Sequence, residues 1–290
     1  MSERKLCNSA IELLGRLRAA SGDALSSFEL IPAIALELGV IGLINIQFAI
    51  AGNELYVIEA NPRASRTVPF VSKAVGTPLA KVATKIMLGA TLAELDLPEF
   101  TGTHVSVKEA VLPFSRFAGA DSVLGPEMKS TGEVIGIGPD FPTAFGKAQA
   151  AAGVSLPESG TVFISVTDTD KAAATQLAAL LHDLGFDVVA TGGTAQAVSR
   201  MGIPVRKIHK IAEGSPNVVD LIENLECDLI INTPTGSGAR ADGYEIRSAA
   251  ITHGIASITT MTGASAAVRA IAARLQGPGD VVSLQELHGG

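Results

Sequence analysis

The sequence predicts an α/β protein built from two modules, and three observations lead there. From Thr161 onward, short apolar runs alternate with helical stretches, the rhythm of a parallel sheet wound with helices. Upstream, residues 46–70 read as a strand, a tight turn, a second strand and a polar segment with two arginines. Residues 153–160, GVSLPESG, have a linker's composition. The expected limits are therefore a helical segment at 1–40, an α+β module at 41–152, a linker at 153–160 and an α/β domain at 161–290.

Length and charge set the outer bounds. A chain of 290 residues, 47% of them hydrophobic, has room for two cores. A net charge of -7 argues against a nucleic acid as the main partner. Cys7 and Cys227 lie far apart and form no metal-spaced pair, so free thiols in a reducing cytosol are expected. No apolar core follows the charged start, so no signal peptide is expected. Residues 30–50 are apolar but contain Pro32, Glu37, Asn45 and Gln47, which a membrane span would bury at high cost. The expected location is cytoplasmic, with no membrane partner.

Along the chain, Ile11, Leu13, Leu14 and Leu17 fit an amphipathic helix ending near Ser21-Gly22, and residues 34–38 fit a second closing at Gly39. In the hairpin, a three-residue loop at 52–54 pairs Gln47 with Glu59, Asn45 with Asn61 and Phe48 with Ile58. That register gathers Ile46, Phe48, Ile50, Tyr56 and Ile58 on one face and Asn45, Gln47, Glu59 and Asn61 on the other. Residues 68–89 read as helical, broken at Gly76-Thr77-Pro78, with Leu79, Val82, Ala83, Ile86 and Met87 as a core stripe. Residues 105–112 read as a strand carrying Lys108 and Glu109, 114–130 as loop, and 141–152 as a helix. Five strands follow, at 161–166, 187–191, 205–208, 228–233 and 255–259, with helices including 171–184 and 266–275.

Two places carry chemistry. Gln47, Glu59 and Asn61 offer one carboxylate and two amide carbonyls, a hard-oxygen set suited to Mg2+ or Mn2+. Arg63 and Arg66 follow, and guanidinium forks suit phosphate oxygens. A solvated hairpin face with surface arginines accounts for the same spacing. In a parallel sheet, ligands sit beyond the carboxyl ends of the strands. Residues 167–171, 191–194 and 232–238 fall there. Thr191 to Thr194 opens a helix whose backbone N–H groups suit an anion. Lys171 and Lys210 supply charge, and Asn232 and Thr233 supply hydrogen bonds. His182, His209 and His253 have no catalytic or metal spacing and read as structural or surface residues.

The stretch IEANPRASRTVPFVSKAVGTPLAKVATKIMLG, continued by SVKEAVLPFSRFAGADSVLGPEMKSTGEVIGIG, resembles the metal- and phosphate-binding end of an ATP-grasp domain. Specifically, it resembles the carboxy-terminal ATP-grasp copy of carbamoyl-phosphate synthase large subunits. NTPTGSGARADGYEIRSAAI resembles the methylglyoxal-synthase-like regulatory domain that ends those subunits. The resemblance runs from about Ala35 to the end of the chain. It implies a partial ATP-grasp module followed by a methylglyoxal-synthase-like domain, and ATP-dependent phosphorylation of carbamate for arginine and pyrimidine synthesis. It implies Gln47, Glu59 and Asn61 as ligands to Mg2+ or Mn2+, and Arg63 and Arg66 facing the phosphoryl group. It also implies a nucleoside monophosphate effector, and as partners a glutamine amidotransferase small subunit and the rest of the large subunit. Glu109 matches a position that contacts an amino-acid effector in some members. No match to the catalytic aspartate motif of methylglyoxal synthase is found. The lobe that clamps adenine in ATP-grasp folds has no counterpart here, so the chain alone is expected to be inactive. The alternative is a non-catalytic nucleotide-binding module.

Overall fold

The computed structural model describes residues 27–52, 54–98, 102–116, 129–233, 237–277 and 279–289. The helix expected around Leu14 lies outside them. The chain forms two compact units, Met1–Gly102 with Val282–Gly290, and Thr103–Val281.

In the first unit, α1 (Ser27–Glu37) ends at Gly39, whose φ of 61° a glycine adopts without the steric cost other residues meet. It begins well before residue 34, running through Pro32. The hairpin β1 (Asn45–Ala51) and β2 (Glu54–Asn61) is antiparallel. Its turn corrects the sequence expectation. Ala51 pairs with Glu54 across a two-residue turn, and Phe48 pairs with Val57 rather than Ile58. A bulge between Gln47 and Phe48 then absorbs one extra residue of β2. The expected pairs Gln47–Glu59 and Asn45–Asn61 are restored beyond it. Near the turn, Leu55 and Val57 therefore share a face with Phe48 and Ile50, and Ile50, Tyr56 and Ile58 are all exposed.

Two short helices follow, α2 (Thr67–Val75) and α3 (Leu79–Met87), parted at Gly76 as the sequence indicates. Of the expected stripe on α3, Ala83 is buried and Leu79, Val82 and Ile86 are half-buried, but Met87 is exposed. At the far end of the chain, α10 (Leu284–Leu287) returns to this unit, where a His288 ring nitrogen lies 2.7 Å from the carbonyl of Lys73.

The second unit opens with an antiparallel pair, β3 (Val105–Val111) and β4 (Gly132–Gly138), covered by α4 (Phe141–Ala151). Asp140 caps α4, its carboxylate accepting from the Thr143 N–H at 2.8 Å, and that bond holds the carboxyl below its usual range. β4 was not expected. Gly136 and Gly138 interrupt its apolar pattern because α4 lies directly on them, and a Cβ at Gly136 would overlap the Ala144 carbonyl.

The five expected strands then form one parallel sheet in the order β7-β6-β5-β8-β9: β5 (Thr161–Ser165), β6 (Asp187–Thr191), β7 (Arg206–Ile208), β8 (Leu229–Asn232) and β9 (Ala256–Ile258). Connecting them are α5 (Lys171–Asp183), α6 (Gly192–Arg200), α7 (Val218–Glu223) and α8 (Ser237–His253), with α9 (Met261–Gln276) after β9. Strand alternation splits the core between the two faces. Val162, Ile164, Val188 and Ile231 pack with α5 and α9, while Phe163, Val189 and Ile230 pack with α7 and α8. Phe145 of α4, Val154 and Leu156 join the first of these clusters. Residues 153–160 thus carry Val154 and Leu156 packed in this cluster, and the described residues of 103–152 belong to the same compact unit as the sheet.

Gly136→Val should destabilise this unit by about 1–3 kcal/mol, because the added methyls have no space against α4. Urea unfolding followed by far-ultraviolet circular dichroism checks this. An unchanged midpoint would mean that α4 does not seat on β4 as described.

Candidate functional site

The strand order reverses beside β5, with β6 on one side and β8 on the other. A crevice must open at such a point, beyond the carboxyl ends of the strands. A cavity of about 330 Å³ lies there. Its wall includes Lys171, Thr191, Thr194, Lys210, Asn232 and Thr233, the six residues expected from the sequence. Phe163, Val166, Ile211, Val218 and Ile246 supply apolar wall. Thr191, Thr194, Asn232 and Thr233 are all buried, four of the seven buried polar or charged residues among those described. Buried polar groups concentrated at one sheet edge are costly unless they are bonded, so their bonding decides what the site is.

Hydroxyls of Ser165, Thr191, Thr194 and Thr233 cross-link the strand ends. Ser165 Oγ and Thr191 Oγ1 share a hydrogen bond of 3.0 Å between β5 and β6. The Val166 N–H donates to Thr194 Oγ1 at 3.3 Å, tying the end of β5 to α6. Thr233 donates its hydroxyl to Asp170 Oδ2 at 2.8 Å and accepts from the Thr167 N–H at 3.4 Å. Thr167 also donates to Asp170 at 3.1 Å. The Asp170 carboxylate therefore fixes two loops at once, and the Thr233 proton is already committed. Thr233, expected from the sequence to hydrogen-bond a ligand, lines the cavity and also braces the Asp170 loop. Asp170 falls within residues 167–171, expected beyond the first strand, whereas the sequence signal of Ser165 is a polar residue where a buried strand ends.

The remaining groups are positioned for an anion. Thr191 is the N-cap of α6 and makes no side-chain bond to the helix start, so Gly193 and Thr194 meet the cavity with first-turn N–H groups uncapped by it. Lys171 opens α5 and reaches across to Gly193, where a Cβ would stand 2.9 Å from Lys171 Nζ. Glycine at 193 is therefore what lets the ammonium approach the helix end. Lys171 pairs with Asp168 at 2.6 Å. That hydrogen bond and charge, with Lys210 further off, hold the Asp168 carboxyl below its usual range. Lys210 stands at the rim, its N–H bonded to Glu213 at 3.0 Å. His209 lines the cavity beside it, a location its isolated spacing gave no reason to expect. His182 and His253 are not part of this wall.

In the hairpin unit, Gln47 and Glu59 are cross-strand partners and Asn61 lies two residues on, so all three share a face. Asn61 Nδ2 donates to Glu59 Oε1 at 2.8 Å. The donor set, one carboxylate with two amide groups on a solvent-facing strand pair, fits a hard cation. Among the described residues no three acidic, histidine or cysteine side chains converge for a metal. Arg63 is exposed and donates to the Ala64 carbonyl at 3.1 Å; Arg66 is exposed at the start of α2. Glu109 accepts from Gln149 Nε2 of α4 at 2.9 Å. No helix among the described residues is long and apolar enough to cross a membrane.

A doubly wound α/β module with an anion-suited crevice at its switch point defines the class. Residues 173–259 match the MGS-like domain family, and residues 29–95 match the family described as carbamoyl-phosphate synthase L chain, ATP binding domain. The chain is similar to carbamoyl phosphate synthase large chains. It is 52% identical to that of Pseudomonas aeruginosa over 264 residues, 90% of this chain and 24% of the relative. It is 54% identical to that of Archaeoglobus fulgidus over 257 residues, 88% of this chain and 24% of the relative. Against Methanocorpusculum labreanum it is 56% identical over 238 residues, 82% of this chain and 23% of the relative. The chain thus spans about a quarter of the length of the curated relatives it matches, carrying an MGS-like domain preceded by part of an ATP-binding domain.

Cys227 plays no part in either place. It is buried under β5, and burial pushes its thiol up to about 11. In Cys7→Ser protein at pH 8, iodoacetamide should label Cys227 only on unfolding. Rapid labelling of the folded chain, followed by mass spectrometry, would contradict that burial.

Proposed function

We propose that this chain acts as the carboxy-terminal part of a carbamoyl-phosphate synthase large subunit, its second unit binding a nucleoside monophosphate effector. The observation that carries the effector reading is the cavity at the switch point, where the six residues expected from the sequence, two lysines among them, share one wall with an uncapped helix start. Phosphate oxygens suit Lys171, Lys210 and the N–H groups at Gly193 and Thr194, while Phe163, Val218 and Ile246 suit a base or ribose. The Asn232 amide is left to orient the nucleoside.

Under the same reading, the hairpin unit contributes to ATP-dependent phosphorylation of carbamate, in the service of arginine and pyrimidine synthesis. Gln47, Glu59 and Asn61 would hold Mg2+ or Mn2+, which neutralises phosphate oxygens when bound. Arg63 and Arg66 would face the transferred group. The partners proposed are the rest of the large subunit and a glutamine amidotransferase small subunit, in the cytoplasm. The domain limits at 40, 152 and 160 are retained as limits of descent rather than of packing. A non-catalytic nucleotide-binding module is the second reading, favoured by the concentration of built polar geometry in the second unit alone.

Calorimetry of the full chain with uridine and inosine monophosphates tests the effector reading. Lys171→Ala and Thr194→Ala should each weaken binding by about 1–3 kcal/mol, the loss of a charge-assisted bond or of a brace at the helix start. Unchanged affinity in both would move the site elsewhere.

A second measurement concerns chemistry. The purified chain should form no carbamoyl phosphate from ATP, bicarbonate and ammonia, because nothing in the described hairpin unit holds the nucleotide in line. Turnover above a Glu59→Ala control would overturn that expectation.

A further inference from the structure

One carboxylate stands at the solvent-facing edge of the proposed anion site and braces nothing. Asp170 holds Thr167 and Thr233, but Asp168 is 93% exposed and contacts the cavity through a single partner, the Lys171 ammonium at 2.6 Å. Lys171 is only 30% exposed and reaches Gly193 in the first turn of α6, which leaves room for it, while Lys207 stands beside Gly192 outside the cavity wall. An incoming phosphate and the Asp168 carboxylate therefore need the same ammonium. Lys210 lies close enough to Asp168 to lower its proton affinity, so both cations of the cavity are already within the field of this one acid.

We infer that Asp168 is an internal competitor for the phosphate position, setting the affinity of the site by occupying Lys171 until a ligand displaces it. This rests on the reading of the cavity as a phosphate-monoester site. The displacement is favourable for a phosphomonoester, which carries about -1.5 to -2 charges at neutral pH and takes both lysines together with the helix-start N–H groups. A carboxylate offers one charge to one lysine. Exposed ion pairs are weak, so Asp168 moderates binding without blocking it. The competitor is also placed where its removal disturbs little. It lies in the short turn Asp168–Asp170 ahead of α5, outside both core clusters.

The test is a double-mutant cycle on the full chain, titrated calorimetrically with a nucleoside 5′-monophosphate and, separately, with inorganic phosphate. Asp168→Asn should bind the nucleotide roughly three- to tenfold more tightly than the parent chain, the strength expected of a released exposed pair plus lost repulsion. Asp168→Glu should keep most of the parent affinity. In a Lys171→Ala background, removing Asp168 should gain less than about twofold, because the competition acts through that ammonium. Parent-chain binding that Asp168→Asn does not tighten would overturn the competitor while leaving the phosphate site standing. An equal gain with and without Lys171 would reduce Asp168 to a general field effect and overturn it as well. Binding by neither chain would overturn the phosphate-site reading itself, and the competitor with it.

Discussion

The second unit depends on one constraint: a parallel sheet that reverses strand order must leave the carboxyl ends of its central strands uncovered. Here those ends carry buried hydroxyls and an amide where further apolar residues would have closed the gap. Burying them is tolerable because they bond to one another and to the backbone of the next loop. Ser165 with Thr191, Thr194 with the Val166 N–H, and Thr233 with Asp170 together hold three strand ends at fixed spacing. The cavity is the space those braces keep open. Its cations and helix-start N–H groups are then in place before any ligand arrives, which is the condition for binding without large reorganisation.

This view divides the wall residues by work. Thr191, Thr233 and Asp170 bond to neighbouring strand ends and loops and so hold the wall in place. Lys171, Gly193, Lys210 and Asn232 are the groups with capacity directed at a guest. The hairpin unit contrasts with this. Its chemistry-bearing residues share a face, but they are exposed or half-buried, and its large apolar side chains such as Ile50, Ile58 and Leu88 lie open to solvent. Neither core cluster includes a residue of that unit. The physical case for a built site is therefore stronger in the second unit than in the first.

Much of this was legible from residues alone, and the exceptions have physical causes. The central parallel strands announced themselves because strands buried on both faces are near-continuous apolar runs, as in β8, whose Leu229, Ile230 and Ile231 are all buried. The hairpin register was half legible. Face alternation correctly paired Gln47 with Glu59, but a two-residue turn plus a bulge gives the same sum of residues as a three-residue loop. Periodicity cannot separate those two solutions, and so Tyr56, which pairs with Ala49, was assigned to the wrong face. β4 escaped because the glycines that admit α4 erase the alternation that would reveal the strand. The braces escaped for a different reason: Ser165 and Asp170 matter through partners distant in sequence, which no local pattern encodes.

The central claim is that the crevice at the strand-order reversal is the ligand site of the second unit. Amide chemical-shift mapping by nuclear magnetic resonance, with a nucleoside monophosphate titrated into the full chain, tests it most directly. The account predicts saturable shifts concentrated at Lys171, Gly193, Thr194, Lys210 and Asn232, with β3, β4 and α4 unmoved. Saturable shifts confined to any other surface, or none at those five amides, would contradict it.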